Sequence, residues 1–289
     1  MDSVKSPKIS IITPSYNQGN YIEQTISSVI EQGYPDLEYI VMDGGSNDGT
    51  KNILETYDSE IHYWVSEPDK GQADAIYRGF ERASGEIIGW LNSDDFLLPD
   101  SLEKVGAFFA ANPDVDCVIG GCLLVDEGGE LIKEKNRPQY FLGLQQDFSK
   151  LLFWETGFCQ PASFWRRDAF FRVGGFDRDL RFCFDYDLFL RLAKEKPFGV
   201  IPDFLACFRH HGESKTSTLS QVCEREKVEV RRKHGLYDTP LLKRYLRRRK
   251  YVWVESYRKR LMELKRRMGK LPIPDISGGM NNASSKADW

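Results

Sequence analysis

Four short apolar runs, each followed by a helix-like stretch, fill the first hundred residues, and this rhythm restricts the fold more than any other feature. Lys8-Ile-Ser-Ile-Ile-Thr13 is the first run, ended by Pro14 and the turn-forming Asn17-Gln-Gly-Asn20. Asn20, with Glu23 three residues on, predicts a capping box. Ile22, Ile26, Val29 and Ile30 then make one helical stripe closed by Gly33. Leu37-Glu-Tyr-Ile-Val-Met42, Ile61-His-Tyr-Trp-Val65 and Glu86-Ile-Ile-Gly-Trp-Leu91 read as the later strands. Helical spacing over 51–57 and 72–83 separates them, and Pro99 with Asp100 opens a further helix to about Ala111. Such alternation demands right-handed crossovers and a parallel sheet covered on both faces. After residue 115 the pattern changes: Asp116–Val125 and Leu131–Lys135 flank Glu127-Gly-Gly-Glu130, a hairpin signal. The expected fold is a mixed, mostly parallel α/β sheet with helices on both faces and a C-terminal basic helical extension.

Charge divides the chain. Residues 1–224 hold 21 Lys/Arg against 36 Asp/Glu, whereas residues 225–270 hold 18 against 5. The acidic part predicts a globular body whose N-terminal half, 1–115, binds a nucleotide. A basic extension over 216–272 and a disordered tail over 273–289 complete the division. From Thr239 to about Lys270, Leu242, Leu246, Trp253, Tyr257, Leu261, Leu264 and Met268 recur three, four or seven apart on one long helix. That helix has three readings: packing on the acidic body, peripheral contact with an anionic membrane face, or oligomerisation. No recognised nucleic-acid module accompanies it, and oligomeric state stays open. The 289 residues, 41 % apolar, exclude a wholly disordered or disulfide-stapled chain. Six scattered Cys without a Cys-x-x-Cys pair predict buried thiols. With no apolar run near the roughly 18–20 residues that span a bilayer and no secretion-type start, a cytoplasmic location is expected.

Polar residues collect where the parallel strands end, which is where open α/β sheets bind ligands. Strand one runs into Thr13-Pro-Ser-Tyr-Asn17, strand two into Asp43-Gly-Gly-Ser-Asn-Asp-Gly49, strand three into Glu67 to Asp74, and strand four into Asn92-Ser-Asp-Asp95. Taken singly, Asp-Gly-Gly is ordinary turn chemistry and Asp94-Asp95 an ordinary capping loop. Together they bring several carboxylates to one crevice, where mutual repulsion favours a hard cation, Mg²⁺ or Mn²⁺, shared with phosphates.

Three segments carry a resemblance: Ile9-Ser-Ile-Ile-Thr-Pro-Ser-Tyr-Asn17, Val41-Met-Asp-Gly-Gly-Ser-Asn-Asp-Gly-Thr50 and Gly85-Glu-Ile-Ile-Gly-Trp-Leu-Asn-Ser-Asp-Asp95. With Gly174-Gly-Phe-Asp177, Asp185-Tyr-Asp-Leu-Phe-Leu-Arg191 and Phe208-Arg-His-His-Gly212, in this order, the chain resembles the family 2 glycosyltransferases, inverting enzymes of GT-A fold, over about residues 8–215. The resemblance implies a metal-dependent transfer of sugar from a nucleotide-sugar donor, UDP-linked by preference, to a glycan or lipid-linked acceptor. It implies that Pro14, Tyr16, Asn17, Gln72, Asn92 and Ser93 line the nucleotide site and that Asp43 meets the base. Asp94, Asp95 and His211 would surround the metal, and Asp185 would be the catalytic base. Trp154 and Gln160 are its acceptor-side candidates. Two departures stand out: Gly44 replaces a common second Asp, and Asn92 replaces the first acid of Asp-x-Asp. The competing classes are a nucleotidyltransferase, which lacks its Gly-rich Arg/Lys loop here, and a non-catalytic sugar-binding module.

Overall fold

The computed structural model describes residues 6–136, 159–215 and 220–267. In its first half β1 (Ile9–Ser15), β2 (Leu37–Asp43), β3 (Tyr63–Ser66) and β4 (Ile87–Trp90) alternate with α1 (Ile22–Ile30), α2 (Thr50–Thr56) and α3 (Gln72–Arg82). The short β5 (Phe96–Leu97) and α4 (Ser101–Ala111) follow. The second half contains β6 (Cys117–Val125), β7 (Leu131–Asn136), β8 (Ser163–Arg166), α5 (Arg167–Arg172), α6 (Phe184–Glu195) and β9 (Gly199–Arg209). Two helices close the described chain, α7 (Ser220–Lys233) and α8 (Leu241–Arg267).

One nine-stranded sheet runs β3-β2-β1-β4-β8-β6-β9-β5, with β7 beside β6. Its parallel ladders join β1 to β2 and β4, β2 to β3, and β6 to β9. The other pairings are antiparallel, so the parallel character belongs mainly to the first half of the chain. Side chains alternate across these strands. Ile12, Ile40 and Met42 join Ile76 and Phe80 of α3 on one face. Ile11, Tyr39 and Val41 join Ile26, Val29 and Leu102 on the other. Both faces of the parallel strands are therefore buried, as crossover connections require. Phe80, Trp90, Trp165, Phe170 and Phe176 interlock with centroids 5.0–6.3 Å apart, mostly edge to face.

The capping box does not form. α1 starts at Ile22 with Tyr21 as its N-cap and no side-chain cap bond. The Tyr21 and Ile22 N–H groups instead donate to Gln18 O at 2.9 Å each, and that closed turn supplies what Asn20 was expected to supply. The six Cys are free and buried.

Glu38 braces the back of the sheet. It accepts from Ser10 Oγ (2.5 Å), Ser84 N–H (2.7 Å) and Ser84 Oγ (2.7 Å), with Lys8 at 3.2 Å. Burial pushes its pKa up, but these donors outweigh burial and bring it from 4.5 to about 2. Because the folded-state value lies below the unfolded one, the stabilisation is complete above about pH 4.5 and is lost as pH falls towards 2. Urea denaturation from pH 6 to pH 2.5 is expected to show a shallower loss of stability in Glu38→Gln than in wild type.

The chain after residue 215 divides in two. α7 joins the body: Cys223, Val230 and the following Leu236 lie in the core with Phe184 and Leu188. The described side chains of the α8 stripe lie exposed. Leu242, Trp253 and Tyr257 are 69 %, 69 % and 59 % exposed.

Candidate active site

The strand order places the ends of β2, β1 and β4 side by side, so the β2 and β4 loops sit two strand spacings, about 10 Å, apart. β1 contains the buried Pro14 and runs out at Ser15 into Tyr16, whose ring is exposed. Asn17, at φ +52°, ties the β1 and β2 loops. Its N–H donates to Ser46 Oγ (2.7 Å), and its Oδ1 accepts from Asn47 N–H (3.0 Å).

Asp43 closes β2 and is buried. Its carboxylate accepts from Ser46 N–H (2.9 Å), Ser46 Oγ (2.5 Å) and Ser66 Oγ (2.6 Å). A carboxylate offers about four lone-pair positions, so one is left over. Gly45 makes the turn at φ +82°. A Cβ on Gly44 would stand 3.0 Å from Asp69 Oδ2 and 3.3 Å from Tyr16 Cδ2. The missing second Asp of the resemblance is thus a place where a side chain has little room.

Beyond β4 a ladder of carboxamides crosses the crevice. Gln72 Nε2 donates to Asn92 Oδ1 (2.7 Å). Asn92 Nδ2 donates to Gln160 Oε1 (3.2 Å) and Asp95 Oδ2 (3.3 Å), and Gln160 Nε2 donates to Trp90 O (2.6 Å). Gln160 therefore lies against the Asn92–Asp95 loop. Ser93 is buried, its carbonyl accepting from Thr25 Oγ1 (2.9 Å). Asp95 is 1 % exposed and its Oδ1 accepts the Arg209 N–H (2.9 Å), which fixes the loop to β9. Asp94 points the other way: its Oδ2 is 3.0 Å from His211 Nε2. The Tyr21 ring packs on His211 with centroids 4.6 Å apart.

Among the described residues no three His, Cys, Asp or Glu side chains are grouped to hold a metal ion. The Asp94–His211 pair still fits one. A carboxylate oxygen and an imidazole nitrogen suit Mn²⁺ or Mg²⁺ when phosphate oxygens and water fill the remaining positions.

Asp185 stands in the first turn of α6 and accepts the Tyr186 N–H at 2.6 Å. Two residues on, Asp187 is fully buried between Arg191 (2.8 Å), His234 (2.9 Å) and Lys233 (3.1 Å). Burial alone would raise the Asp187 pKa, but the bonds from His234 and its cationic neighbours hold it well below the usual carboxylate range. Trp154 lies outside the described residues.

Three neighbours of these residues escaped the sequence reading. Arg209 donates from Nε to Asp94 O (2.9 Å) and from Nη1 to Glu127 O (2.7 Å). Glu226 of α7 accepts the N–H groups of Arg181 (2.9 Å), Phe182 (2.8 Å) and Cys183 (2.9 Å), just ahead of α6. Lys215 donates to Gln72 Oε1 at 2.6 Å. The only signal was spacing: Arg209 and Lys215 bracket His211, and Glu226 sits three residues after the buried Cys223.

Residues 10–174, more than half of the chain, match the family model described as Glycosyl transferase family 2. The chain belongs to that family. It is therefore a glycosyltransferase, and the family that matches is not one of nucleotidyltransferases. TuaG of Bacillus subtilis (strain 168), named for teichuronic acid biosynthesis, is 38 % identical over 136 residues, which are 46 % of this chain and 54 % of TuaG. This family 2 chain thus spans about half the length of that relative. Staphylococcal TarS (S. aureus, residues 1–349, in complex with UDP) is similar in structure, with TM-score 0.58 and 20 % identity over 71 % of this chain and 61 % of that one. The mannosyltransferase PcManGT from Pyrobaculum calidifontis, in complex with GDP-Man and Mn²⁺, has TM-score 0.60 and 20 % identity, over 93 % of this chain and 77 % of its own. At such identities these likenesses establish the GT-A-type fold expected for a family 2 glycosyltransferase.

Proposed function

We propose that this glycosyltransferase moves a sugar, with inversion, from a UDP-sugar to a hydroxyl of a glycan or lipid-linked acceptor during cell-surface polysaccharide assembly. The observation that carries the reading is the Asp94–His211 pair held beside the carboxamide ladder at the strand ends. UDP in the TarS complex and the name of TuaG support the donor and the setting.

In this account Tyr16, Asn17 and the Gly44–Gly45 turn hold the nucleoside. Asp43 offers its remaining lone pair to a base N–H. Asn92, with Gln72, presents amide groups to the ribose, and the buried Pro14 and Ser93 shape the loop backbone around it. Asp94 and His211 hold Mn²⁺ or Mg²⁺, with Asp95 behind them as the brace that aims Asp94. Bound there, the ion supplies Lewis-acid neutralisation of the leaving diphosphate. The bond from the sugar anomeric carbon to the phosphate oxygen breaks, and its electron pair stays on the diphosphate. The acceptor oxygen bonds to that carbon from the opposite face while its proton passes to the Asp185 carboxylate.

A thermal-shift panel of UDP, GDP and their sugars, each with and without Mn²⁺, tests the reading, because a ligand bound only to the folded chain raises its melting temperature. UDP with Mn²⁺ is expected to give the largest rise. No response to any nucleotide would overturn the reading.

Peripheral contact with an anionic lipid surface through 239–270 belongs to the same proposal. Residues 241–267 hold 12 Lys/Arg against 2 Asp/Glu beside the exposed Leu, Trp and Tyr stripe. No helix among the described residues is long and apolar enough to cross a membrane. At low salt the chain should sediment with phosphatidylglycerol vesicles and not with phosphatidylcholine vesicles; equal recovery in both supernatants refutes this contact.

A further inference from the structure

We infer that Lys215 is a second cation for the donor's leaving diphosphate. The inference rests on the donor reading above and adds a residue to it. Lys215 follows His211 by four positions, in a turn closed by the Ser214 N–H donating to His211 O at 3.2 Å. One short segment therefore delivers both side chains, His211 to Asp94 and Lys215 to Gln72. Through Gln72 the ammonium is a single carboxamide away from Asn92, the first residue of the Asn92-Ser-Asp94 loop.

Lys215 is exposed, and among the described residues its ammonium is not bonded to a carboxylate. Its acceptor, Gln72 Oε1, is neutral, and among the described residues it makes no ion pair. Asn92, bonded to Gln72, adds no negative charge of its own. Crowding by surrounding protein lowers the Lys215 pKa first, and the nearby Arg181 guanidinium lowers it further. Asp185, Glu226 and Asp69 act in the opposite sense. The charges of Asp185 on α6, Glu226 on α7 and Asp69 in the β3–α3 loop thus favour the ammonium form.

A lysine in that position acts as a point charge on phosphate. When the anomeric carbon–oxygen bond breaks, the electron pair remains on the diphosphate oxygen and Lys215 exchanges its Gln72 contact for that oxygen. Its own proton is retained throughout, since the acceptor's proton goes to Asp185.

The alternative is that Lys215 merely closes the turn that carries His211. Titration calorimetry of the full chain with uridine, UMP and UDP in the presence of Mn²⁺ separates the two. Lys215→Gln is expected to weaken UDP binding about tenfold to a hundredfold and to leave uridine unchanged, and Lys215→Arg is expected to recover most of the loss. Unaltered UDP binding in Lys215→Gln, or an equal loss for uridine and UDP, overturns the assignment. Failure of the wild-type chain to bind UDP at all would remove the donor reading itself, and is distinguished by that control.

Discussion

Asp185→Asn is expected to reduce sugar transfer about a thousandfold while UDP binds as before. The substitution removes the proton acceptor and its negative charge. Asparagine is nearly the same size, and its Oδ1 can still take the Tyr186 N–H that Asp185 accepts at 2.6 Å, so the start of α6 stays formed. The acceptor hydroxyl must lose a proton as it attacks, and an amide cannot receive it. UDP release from a UDP-sugar, followed beside calorimetric UDP affinity, reads both quantities. Turnover within tenfold of wild type would assign the proton to another group. A parallel loss of UDP affinity would place Asp185 in nucleotide binding.

Glu226→Ala should cause the largest loss of stability. One carboxylate accepts the three consecutive N–H groups of Arg181, Phe182 and Cys183. These precede α6, where unpaired N–H groups and the helix dipole favour a negative charge. Glu226 is 7 % exposed, so alanine strands the three donors away from water and leaves a void. A loss of about 3 kcal/mol is expected, which lowers the melting temperature by roughly 10 °C. Glu226→Gln keeps an acceptor oxygen and should lose less than half as much. Chemical denaturation of both variants checks this, and an alanine variant as stable as wild type would refute it. Because α6 also carries Asp185, the same variant should lose turnover at temperatures where it is still folded.

The parallel half of the fold was legible because each strand is an apolar run bounded by turn residues. Ile9–Ser15, Leu37–Asp43 and Ile87–Trp90 fall within a residue or two of the expected runs. Local signals failed where a distant partner took over their task. Asn20 and Glu23 have the spacing of a capping box, yet the Gln18 carbonyl closes that turn. Asp94 and Asp95 are adjacent and chemically alike, and only β9, a hundred residues on, turns one to His211 and the other to the Arg209 N–H. Gln160 could be marked as a polar residue near Pro161 but not as a rung between Asn92 and Trp90. Glu226 was hidden in a strongly basic stretch, where a carboxylate reads as a surface ion pair. The burial of Cys223 and Val230 that brings α7 onto the body is a tertiary event with weak local pattern.

The central claim is that Asp94 and His211 hold a divalent ion through which the donor diphosphate is bound. Calorimetric titration of UDP into wild-type and Asp94→Asn chains, with Mn²⁺ present and with it removed by chelator, addresses it directly. The account predicts tight binding only for wild type with Mn²⁺, and weak binding of similar strength in the other three cases. UDP affinity indifferent to both the ion and Asp94 would contradict it.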